Sequence, residues 1–465
     1  MDELLATSDA AANELLTAAR GWGLPPGAVA GASFFRAFIV LAGGPAHAAS
    51  HPAVVGGDAC ASVLASAAAA GLRAVVVSGD GSGLGVEGSL RRVASALAVP
   101  RALASPRDAL VGLALSAARD ASLLRDGLVH ALPRHGVAAL RVDLGAPLAP
   151  QGPWHALLHK ATDQVAHGSR PEAPRFAPEV AALEAYADAH PATALVEPLQ
   201  ALDVVFDRGC SAALLNTMPQ QLRSGGGGAH AALAAPRTVA IDTWEPYDVV
   251  AALEGAGIRL PCLLKPRAAC GVPGSHAMAL LLRASAGAEA RVALPALAQA
   301  FVPHRGAFHK CYAIGDAVFS SSRRSLPAPP APPAAEEEDY DYDAPGALPF
   351  DSLAALPSRW GGAGDGGEEE GQKGDGARRA SEPAVAPEPL DAAAVAACAA
   401  WLREATGLRL LGFDIVVDAE TGAHTVVDVN YFPSCAQTPG AAEALAAMLR
   451  QAAGMPPVAP SPHHH

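Results

Sequence analysis

The sequence predicts an α+β fold, and three observations point to it. Strand-like apolar runs alternate with helical runs between residues 109 and 265. Two predicted β-hairpins then follow one another, and the second turns at Gly315-Asp316, a dipeptide suited to a tight hairpin. A last pair of strands flanks Glu420-Thr421-Gly422 and lies between two helical runs. This order of elements indicates an α+β architecture.

Each element follows from its apolar periodicity and from the residues that end it. The predicted strands are 74–77, 109–115, 137–142, 193–196, 258–265, 276–282, 307–314 and 317–322, with a further pair on either side of 420–422. The predicted helices span 89–97, 178–189, 248–255, 392–405 and 441–453, and another follows the strand at 109–115 and ends at 132.

A GxGxxG match at 83–88 precedes the helix at 89–97, but several loop residues separate it from the strand at 74–77. Ala and Gly are abundant in this segment, so such a match arises easily. We interpret it as chance rather than as a dinucleotide site.

Length and composition narrow the class of protein. The chain of 465 residues is longer than one ordinary domain, and it contains neither an apolar run of membrane-spanning length nor a basic signal-peptide start. Its seven cysteines are scattered and never form a CxxC pair, so we expect no disulfide framework and no zinc site. We expect a cytoplasmic protein that does not insert into a membrane, with the nucleus as a further location.

The negative charge of the chain is concentrated in one segment. Of a formal net charge of −13, residues 327–390 contribute −10, from fourteen Asp and Glu against four Lys and Arg. This segment also holds a Pro-rich start, the acidic run 336–343 and Gly-rich stretches. Low hydrophobicity and high charge cannot offset the entropy of ordering, so it predicts a disordered insertion. The near-neutral remainder can still form a local basic site for an anion.

A candidate cation site lies in the last strand pair. If its loop is centred on Thr421, which requires an odd number of loop residues, Asp414 and Asp428 face each other and their like charges repel. Asn430 projects on the same strand face as Asp428. Three oxygen ligands would then converge, as Mg²⁺ prefers. The alternative is an acidic hairpin edge that faces solvent.

Basic residues suggest a site for phosphates. Lys265 closes an apolar strand and precedes a Gly-containing loop, so its ammonium could meet phosphates that the loop covers. No GxxxxGK[ST] match occurs, so this is not a P-loop. Residues that would complete a polyphosphate pocket are Lys160, His276, Lys310, Arg323 and Arg324. Each is equally well a solvated charge or, for His276, a structural histidine.

Seven dispersed stretches match one known family in their order along the chain. They include His159-Lys160-Ala161-Thr162-Asp163 and Ser275-His276-Ala277-Met278, and they span 151–163, 188–191, 206–208, 265–278, 299–310, 323–327 and 412–433. Over roughly residues 108–452 the chain resembles inositol 1,3,4-trisphosphate 5/6-kinases, also called inositol-tetrakisphosphate 1-kinases. The resemblance implies an ATP-grasp fold, with a pre-ATP-grasp α/β unit and two α+β units that hold ATP between them.

The resemblance also implies roles for individual residues. Those implied to contact ATP are Arg208, Lys265, Gln299, Phe301, Val302, Lys310 and Ser325. Those implied to hold the inositol phosphate are Arg119, Lys160, His276, Lys310, Asn430 and Ser434. Asp414 and Asp428 would bind one Mg²⁺, and Asp428 and Asn430 a second. Lys265, Asp428 and Asn430 would be the catalytic residues, and no general base is assigned.

Two positions depart from the family pattern. Arg119 stands where the family has a substrate-binding lysine, which keeps the charge but changes its geometry. Ser434 replaces the glycine of the family's Asn-x-Phe-Pro-Gly run, so a backbone position near the substrate is expected to shift. Both changes affect the choice of substrate more than the kinase chemistry.

The expected reaction transfers the γ-phosphoryl of ATP to a hydroxyl of an inositol tris- or tetrakisphosphate, with inositol hexakisphosphate as a further candidate substrate. We expect a monomer that does not bind nucleic acid. Two alternatives remain: an ATP-grasp carboxylate-amine ligase, and a non-catalytic inositol phosphate sensor.

The predicted division of the chain has six parts. They are an N-terminal α/β extension (1–105), an N-terminal kinase domain (106–205), a central ATP-grasp region (206–326), the disordered insertion (327–390), a C-terminal unit with the metal site (391–456) and a tail (457–465).

Overall fold

The computed structural model describes residues 37–42, 53–56 and 73–78 and most of 108–458. The gaps within this last range are 117–118, 120–121, 124–125, 143, 146, 165–175, 330–344, 355, 358–359, 361–387 and 435–437. The GxGxxG match and the predicted helix at 89–97 therefore lie outside the described residues.

The described elements follow the predicted order closely. The strands are β1 Ala37–Ala42, β2 Ala53–Gly56, β3 Arg73–Ser78, β4 Ala109–Ala114, β5 Val137–Arg141, β6 Ala156–His159, β7 Ala194–Val196, β8 Leu233–Ala234, β9 Thr238–Ile241, β10 Cys262–Pro266, β11 Ala277–Leu281, β12 Ala296–Ala300, β13 Ala307–Ile314, β14 Ala317–Arg324, β15 Ala347–Asp351, β16 Leu410–Val417 and β17 His424–Tyr431. The α-helices are α1 Leu128–Arg134, α2 Pro178–Ala189, α3 Asp203–Phe206, α4 Arg208–Asn216, α5 Gln220–Arg223, α6 Pro246–Gly255, α7 Ala392–Thr406 and α8 Ala441–Ala452. No helix in the described part of the chain is long and apolar enough to cross a membrane.

The strands of the N-terminal extension form one small sheet. Its order is β2-β1-β3, and both pairs are antiparallel. The predicted strand at 74–77 is confirmed within β3.

The described chain, with this small sheet included, falls into two compact units. Unit 1 contains described residues of 1–159, 181–196 and 436–465. Its parallel sheet has the order β5-β4-β6-β7. Apolar residues of β4 and β6 pack with α2 in a core that includes Leu110, Trp154, Leu157, Leu183 and Tyr186.

The last helix, α8, belongs to unit 1, which differs from the predicted C-terminal unit 391–456. Glu443 of α8 forms an ion pair with Arg134 and bonds the ring of His135 at 2.8 Å. The Arg450 guanidinium donates to the carbonyl of Gly136 at 2.9 Å. These charged contacts join α8 to the end of α1 and the turn before β5, in addition to the buried apolar face of α8 that includes Leu445, Met448 and Leu449.

Unit 2 contains described residues of 160–180 and 197–435 and is built on two five-stranded sheets. The first, with the order β15-β11-β10-β12-β9, is antiparallel. Its core includes Val249, Cys262, Leu264, Ala279 and Ala298, all nearly inaccessible to solvent. The second, with the order β14-β13-β16-β17-β8, is antiparallel except for the pair β17–β8. The antiparallel pairs β10–β11 and β13–β14 confirm both predicted hairpins.

Part of the segment 327–390 is ordered, so the prediction of disorder is wrong for 347–351. These residues form β15, which pairs with β11 at the edge of the first sheet. Pro349 lies within β15, and edge strands tolerate proline because its missing N–H need not join a ladder. The rings of Trp360 and Phe350 pack edge to face, with their centres 6.3 Å apart. Trp360 Nε1 donates a hydrogen bond to the carbonyl of Pro327 at 3.1 Å.

We predict that Gly112→Ala lowers the free energy of unfolding by about 1–3 kcal/mol, because it overpacks the core of unit 1. A Cβ at Gly112 would lie 2.5 Å from Leu157 Cδ2 and 2.6 Å from Val142 Cγ2. Gly255→Ala is the matched control, since a Cβ there meets nothing within 4 Å. Urea unfolding of both variants checks the prediction, and equal midpoints would contradict it.

Candidate active site

Strands β16 and β17 bring the two candidate metal carboxylates face to face. Asp414 pairs directly with Asp428, as predicted. The predicted odd-length loop is wrong, because Val417 pairs with His424 across an even number of residues. The register instead shifts between Asp414 and Ile415, where the chain makes a β-bulge at Val427. The bulge therefore aligns the two carboxylates.

The charges around Asp414 are only partly balanced. Lys310 Nζ lies 4.0 Å from Asp414 Oδ1, and no described residue donates a hydrogen bond to this buried oxygen. Burial raises the pKa of Asp414; the positive charge of Lys310 opposes the shift, and Asp428 adds to it. An inaccessible carboxylate oxygen without a donor is costly. The site thus has a place for a further positive charge.

A divalent cation fits this place. Asn430 Nδ2 donates to Asp428 Oδ2 at 3.0 Å, which leaves the amide oxygen of Asn430 as its candidate ligand atom. Two carboxylates and one amide oxygen are hard ligands of the kind that Mg²⁺ takes together with water and phosphate. Within the described ranges no group of three or more His, Cys, Asp or Glu side chains is arranged to hold a metal.

Lys265 lies beside the same carboxylates. It is the penultimate residue of β10, and its Nζ donates to the carbonyl of Val427, the bulged residue, at 3.4 Å. Burial lowers the pKa of Lys265 to about 8; the charge of Asp428 opposes this shift and that of Arg208 adds to it. The ammonium therefore remains protonated at neutral pH and supplies a buried positive charge beside Asp428.

Arg208 holds the backbone that follows Lys265. It is buried, and its guanidinium donates to the carbonyls of Pro266 and Ala268, each at 2.8 Å, and to that of Ala269 at 3.4 Å. Burial lowers its pKa, and the charge of Asp428 opposes the shift. These bonds give Arg208 a positioning role, while its contact with ATP stays a prediction.

The side chain of Lys160 contacts Tyr431, the last residue of β17. Its Nζ donates to the carbonyl of Tyr431 at 2.6 Å and sits 4.8 Å from the centre of the Tyr431 ring. The ring of Phe432 is 5.8 Å away. The structure thus brings this candidate substrate residue next to Asn430, the neighbour of Tyr431 in the chain.

The turn after β17 packs against β16. A Cβ on Gly412 would lie 3.0 Å from Pro433 Cβ, so a larger residue here would push the turn slightly away from β16. Phe432 is buried and has a φ of 44°, a left-handed conformation that costs free energy in a residue other than glycine. Ser434 follows in an exposed position. Gly412 and the strained turn together fix the end of the candidate metal strand.

The predicted adenine-side residues are joined by a histidine that sequence reasoning missed. His304 Nδ1 lies 2.7 Å from the carbonyl of Val302, and its Nε2 lies 2.7 Å from Ser325 Oγ. The rings of Phe301 and His304 are 5.3 Å apart. Gln299 is buried in β12. His304 thus links the segment after β12 to the residue that follows β14.

Two further predicted substrate residues, His276 and Arg119, have contacts with their own neighbours. His276 precedes β11, and its Nδ1 lies 3.3 Å from Ser352 Oγ. Arg119 belongs to unit 1, where its backbone N–H donates to Ser116 Oγ at 3.3 Å. The role of Arg119 toward the residues of unit 2 stays a prediction.

Glu197 is a second residue that sequence reasoning missed. Its buried carboxylate accepts hydrogen bonds from the backbone N–H groups of Arg409 at 2.9 Å and Leu410 at 2.8 Å. Burial raises the pKa of Glu197 to about 7, and the two backbone donors oppose the shift. Glu197 thereby fixes the start of β16, the strand that carries Asp414. No motif marks a contact between residues so distant in sequence.

Comparison with sequence models of known families identifies the fold and the family. Residues 228–451 match the inositol 1,3,4-trisphosphate 5/6-kinase ATP-grasp domain, and residues 110–202 match the pre-ATP-grasp domain of these kinases. The protein therefore has an ATP-grasp fold, a class of ATP-dependent enzymes. The chain belongs to the inositol 1,3,4-trisphosphate 5/6-kinase family and is an inositol polyphosphate kinase with ATP as donor.

Curated relatives agree with this assignment. Inositol-tetrakisphosphate 1-kinase 5 of Oryza sativa subsp. japonica is 30% identical over 335 residues, which cover 71% of this chain and 86% of the relative. Inositol-tetrakisphosphate 1-kinase 1 of Zea mays is 29% identical, and the match covers 71% of this chain and 85% of the relative. Inositol-tetrakisphosphate 1-kinase of Danio rerio is 24% identical, with 70% of this chain and 74% of the relative covered.

Solved structures were also compared. An ATP-grasp RimK domain protein from Sphaerobacter thermophilus is 18% identical, covers 74% of this chain and 99% of its own, and has a TM-score of 0.39. The VanG D-Ala:D-Ser ligase from Enterococcus faecalis is 10% identical, covers 75% of this chain and 99% of its own, and has a TM-score of 0.42.

We predict that Glu197→Gln weakens the pH dependence of stability. The pKa of the Glu197 carboxyl is near 4.5 in the unfolded chain and is raised by burial to about 7 in the folded state. The folded state therefore binds more protons within this window, and the free energy of unfolding falls as the pH rises through it. A shift of about 2.5 units corresponds to a loss of about 3 kcal/mol. Glutamine keeps an oxygen acceptor and does not titrate.

Urea unfolding at pH 5 and pH 8 measures this effect. Relative to wild type, Glu197→Gln should lose about 2.5 kcal/mol less between the two pH values, because pH 5 already lies slightly above the unfolded-state pKa. Glu404→Gln, at an exposed position on α7, is the matched control and should keep the wild-type difference. The same pH dependence in all three proteins would contradict the prediction.

Proposed function

We propose that this protein transfers the γ-phosphoryl group of ATP to a hydroxyl of an inositol tris- or tetrakisphosphate with the help of two Mg²⁺ ions. The observation that carries the proposal is the pairing of Asp414 with Asp428 beside the buried Lys265. Bound Mg²⁺ would neutralise phosphate charge that develops during the transfer. Asp414, Asp428 and Asn430 would hold the ions.

The chain's own residues would position the phosphates. Phosphoryl transfer depends on alignment and charge stabilisation more than on a strong base. The ammonium groups of Lys265 and Lys310 would bind phosphate oxygens, and both lie close enough to Asp414 for its charge to act on them. Arg208 would keep the loop after Lys265 in place through its bonds to three carbonyls.

The nucleotide and the inositol phosphate would use different parts of the chain. Gln299, Phe301 and Val302 would line the adenine side, supported by the bonds that His304 makes to Val302 and Ser325. Residues assigned to the inositol phosphate are Arg119, Lys160, His276, Lys310, Asn430 and Ser434. Lys160 is a strong candidate for this role, since its ammonium lies at the end of the strand that carries Asn430.

The decisive experiment is an incubation of the purified protein with ATP, Mg²⁺ and a panel of inositol tris- to hexakisphosphates, with chromatographic separation of the product isomers. ADP formed together with a more highly phosphorylated inositol supports the proposal. ADP released only with a carboxylate and an amine would favour the ligase alternative. Tight inositol phosphate binding without turnover of ATP would favour the sensor alternative. The monomeric state, the lack of a nucleic-acid partner and the cytoplasmic location stay predictions.

We predict that Asp428→Asn lowers turnover by more than the roughly 10- to 100-fold that loss of an outer-shell partner of a metal costs. Asn keeps the size of the side chain but removes the charge that would serve both ions. Asp418→Asn is the matched control on the same hairpin. The side chain of Asp418 accepts hydrogen bonds from the backbone N–H groups of Glu420 and Thr421, and an Asn side chain can accept them too. Near-normal turnover of Asp428→Asn at saturating Mg²⁺ would refute the metal assignment.

A further inference from the structure

The ordered part of the acidic segment ends against a candidate substrate residue. We use the term strap for residues 347–352, which comprise β15 and Ser352. The strap pairs with β11 in antiparallel register, from Leu281 opposite Ala347 to Ala277 opposite Asp351. One more hydrogen bond extends this ladder, because the N–H of Ser352 donates to the carbonyl of His276 at 3.0 Å. The two residues are therefore held side by side at the backbone.

The side chains of the two residues also meet. Ser352 Oγ lies 3.3 Å from His276 Nδ1, and both side chains are partly buried. A serine hydroxyl both donates and accepts, so it can bond this nitrogen in the neutral and the protonated imidazole. In each case the contact fixes the orientation of the imidazole ring of His276.

The position of Ser352 is itself set by several contacts. Asp351 Oδ1 accepts the N–H of Leu353 at 2.7 Å, which makes a tight turn directly around Ser352. The N–H of Ala354 bonds the carbonyl of Asp351 at 3.2 Å. On the other side, Phe350 packs against Trp360, whose Nε1 is bonded to the carbonyl of Pro327. The turn and the ladder together hold the hydroxyl at His276.

We propose that the strap is part of the inositol phosphate site and that Ser352 is a positioning residue, which orients the imidazole of His276 toward the substrate. The proposal rests on the proposed function, because it takes His276 as a substrate-binding group. The acidic segment thus contributes an ordered element to the site, while its net charge of −10 lies mostly outside the strap.

The test compares Ser352→Ala with Ser352→Thr, with inositol 1,3,4-trisphosphate and inositol 3,4,5,6-tetrakisphosphate as substrates. Ser352→Ala should lower kcat/KM for the inositol phosphate roughly 3- to 10-fold, the equivalent of one side-chain hydrogen bond, with the KM for ATP unchanged. Ser352→Thr keeps the hydroxyl and should restore most of the activity. Leu353→Ala, at the exposed neighbouring residue, is the matched control and should behave like wild type.

A double variant separates positioning from a merely structural role. If Ser352 acts through His276, adding Ser352→Ala to His276→Ala should cause no further loss. Calorimetric binding of inositol 1,3,4-trisphosphate without ATP should show the same pattern. Equal activity of Ser352→Ala and wild type, or full additivity of the two changes, would overturn the positioning role while wild-type turnover keeps the proposed function. If the wild type neither binds nor phosphorylates any inositol phosphate, the proposed function fails and this inference fails with it.

Discussion

Two carboxylates that face each other across neighbouring strands are the constraint around which unit 2 is organised. Asp414 and Asp428 are buried enough that their repulsion must be offset, and Lys310 lies 4.0 Å from Asp414. A pair of unit charges at that distance attracts by about 4 kcal/mol at an effective dielectric constant near 20, before solvent screening of the partly exposed lysine. One lysine cannot balance two carboxylates, so Lys265 supplies a second positive charge and the proposed Mg²⁺ would complete the site.

The surrounding backbone holds this unfavourable arrangement in place. The bulge at Val427 sets the register and turns a carbonyl toward Lys265. Glu197 fixes the start of β16, and Gly412 allows the turn at Pro433 to pack against the same strand. Three features of this backbone lower stability locally: the buried carboxyl of Glu197, the left-handed conformation of Phe432 and the ladder position lost at the bulge. Their common effect is to fix charged groups before any ligand arrives, as electrostatic catalysis requires.

Alternation along strands was sufficient to predict both hairpins. The opposition of Asp414 and Asp428 was predicted from an odd-length loop centred on Thr421, so the result is right but its premise is wrong. The bulge was not predictable, because it depends on how two strands pack and not on a turn signal. His304 and Glu197 were missed for a related reason: they act on residues 21 and 212 or more positions away, through contacts without a sequence pattern. Arg208 was assigned to ATP from its motif, whereas its buried bonds to three carbonyls give it a positioning role.

The strap shows why average composition predicted disorder for the whole acidic segment. Net charge and Pro and Gly content, averaged over 327–390, predict whether a segment can bury enough apolar surface to form a hydrophobic core of its own. Residues 347–351 need no core of their own, because β11 already presents an edge of unpaired backbone groups next to a formed sheet. A few apolar side chains, such as the partly buried Leu348 and Phe350, then suffice to offset the ordering of five residues. Disorder predicted from average composition therefore fails where a short strand can complete an existing edge.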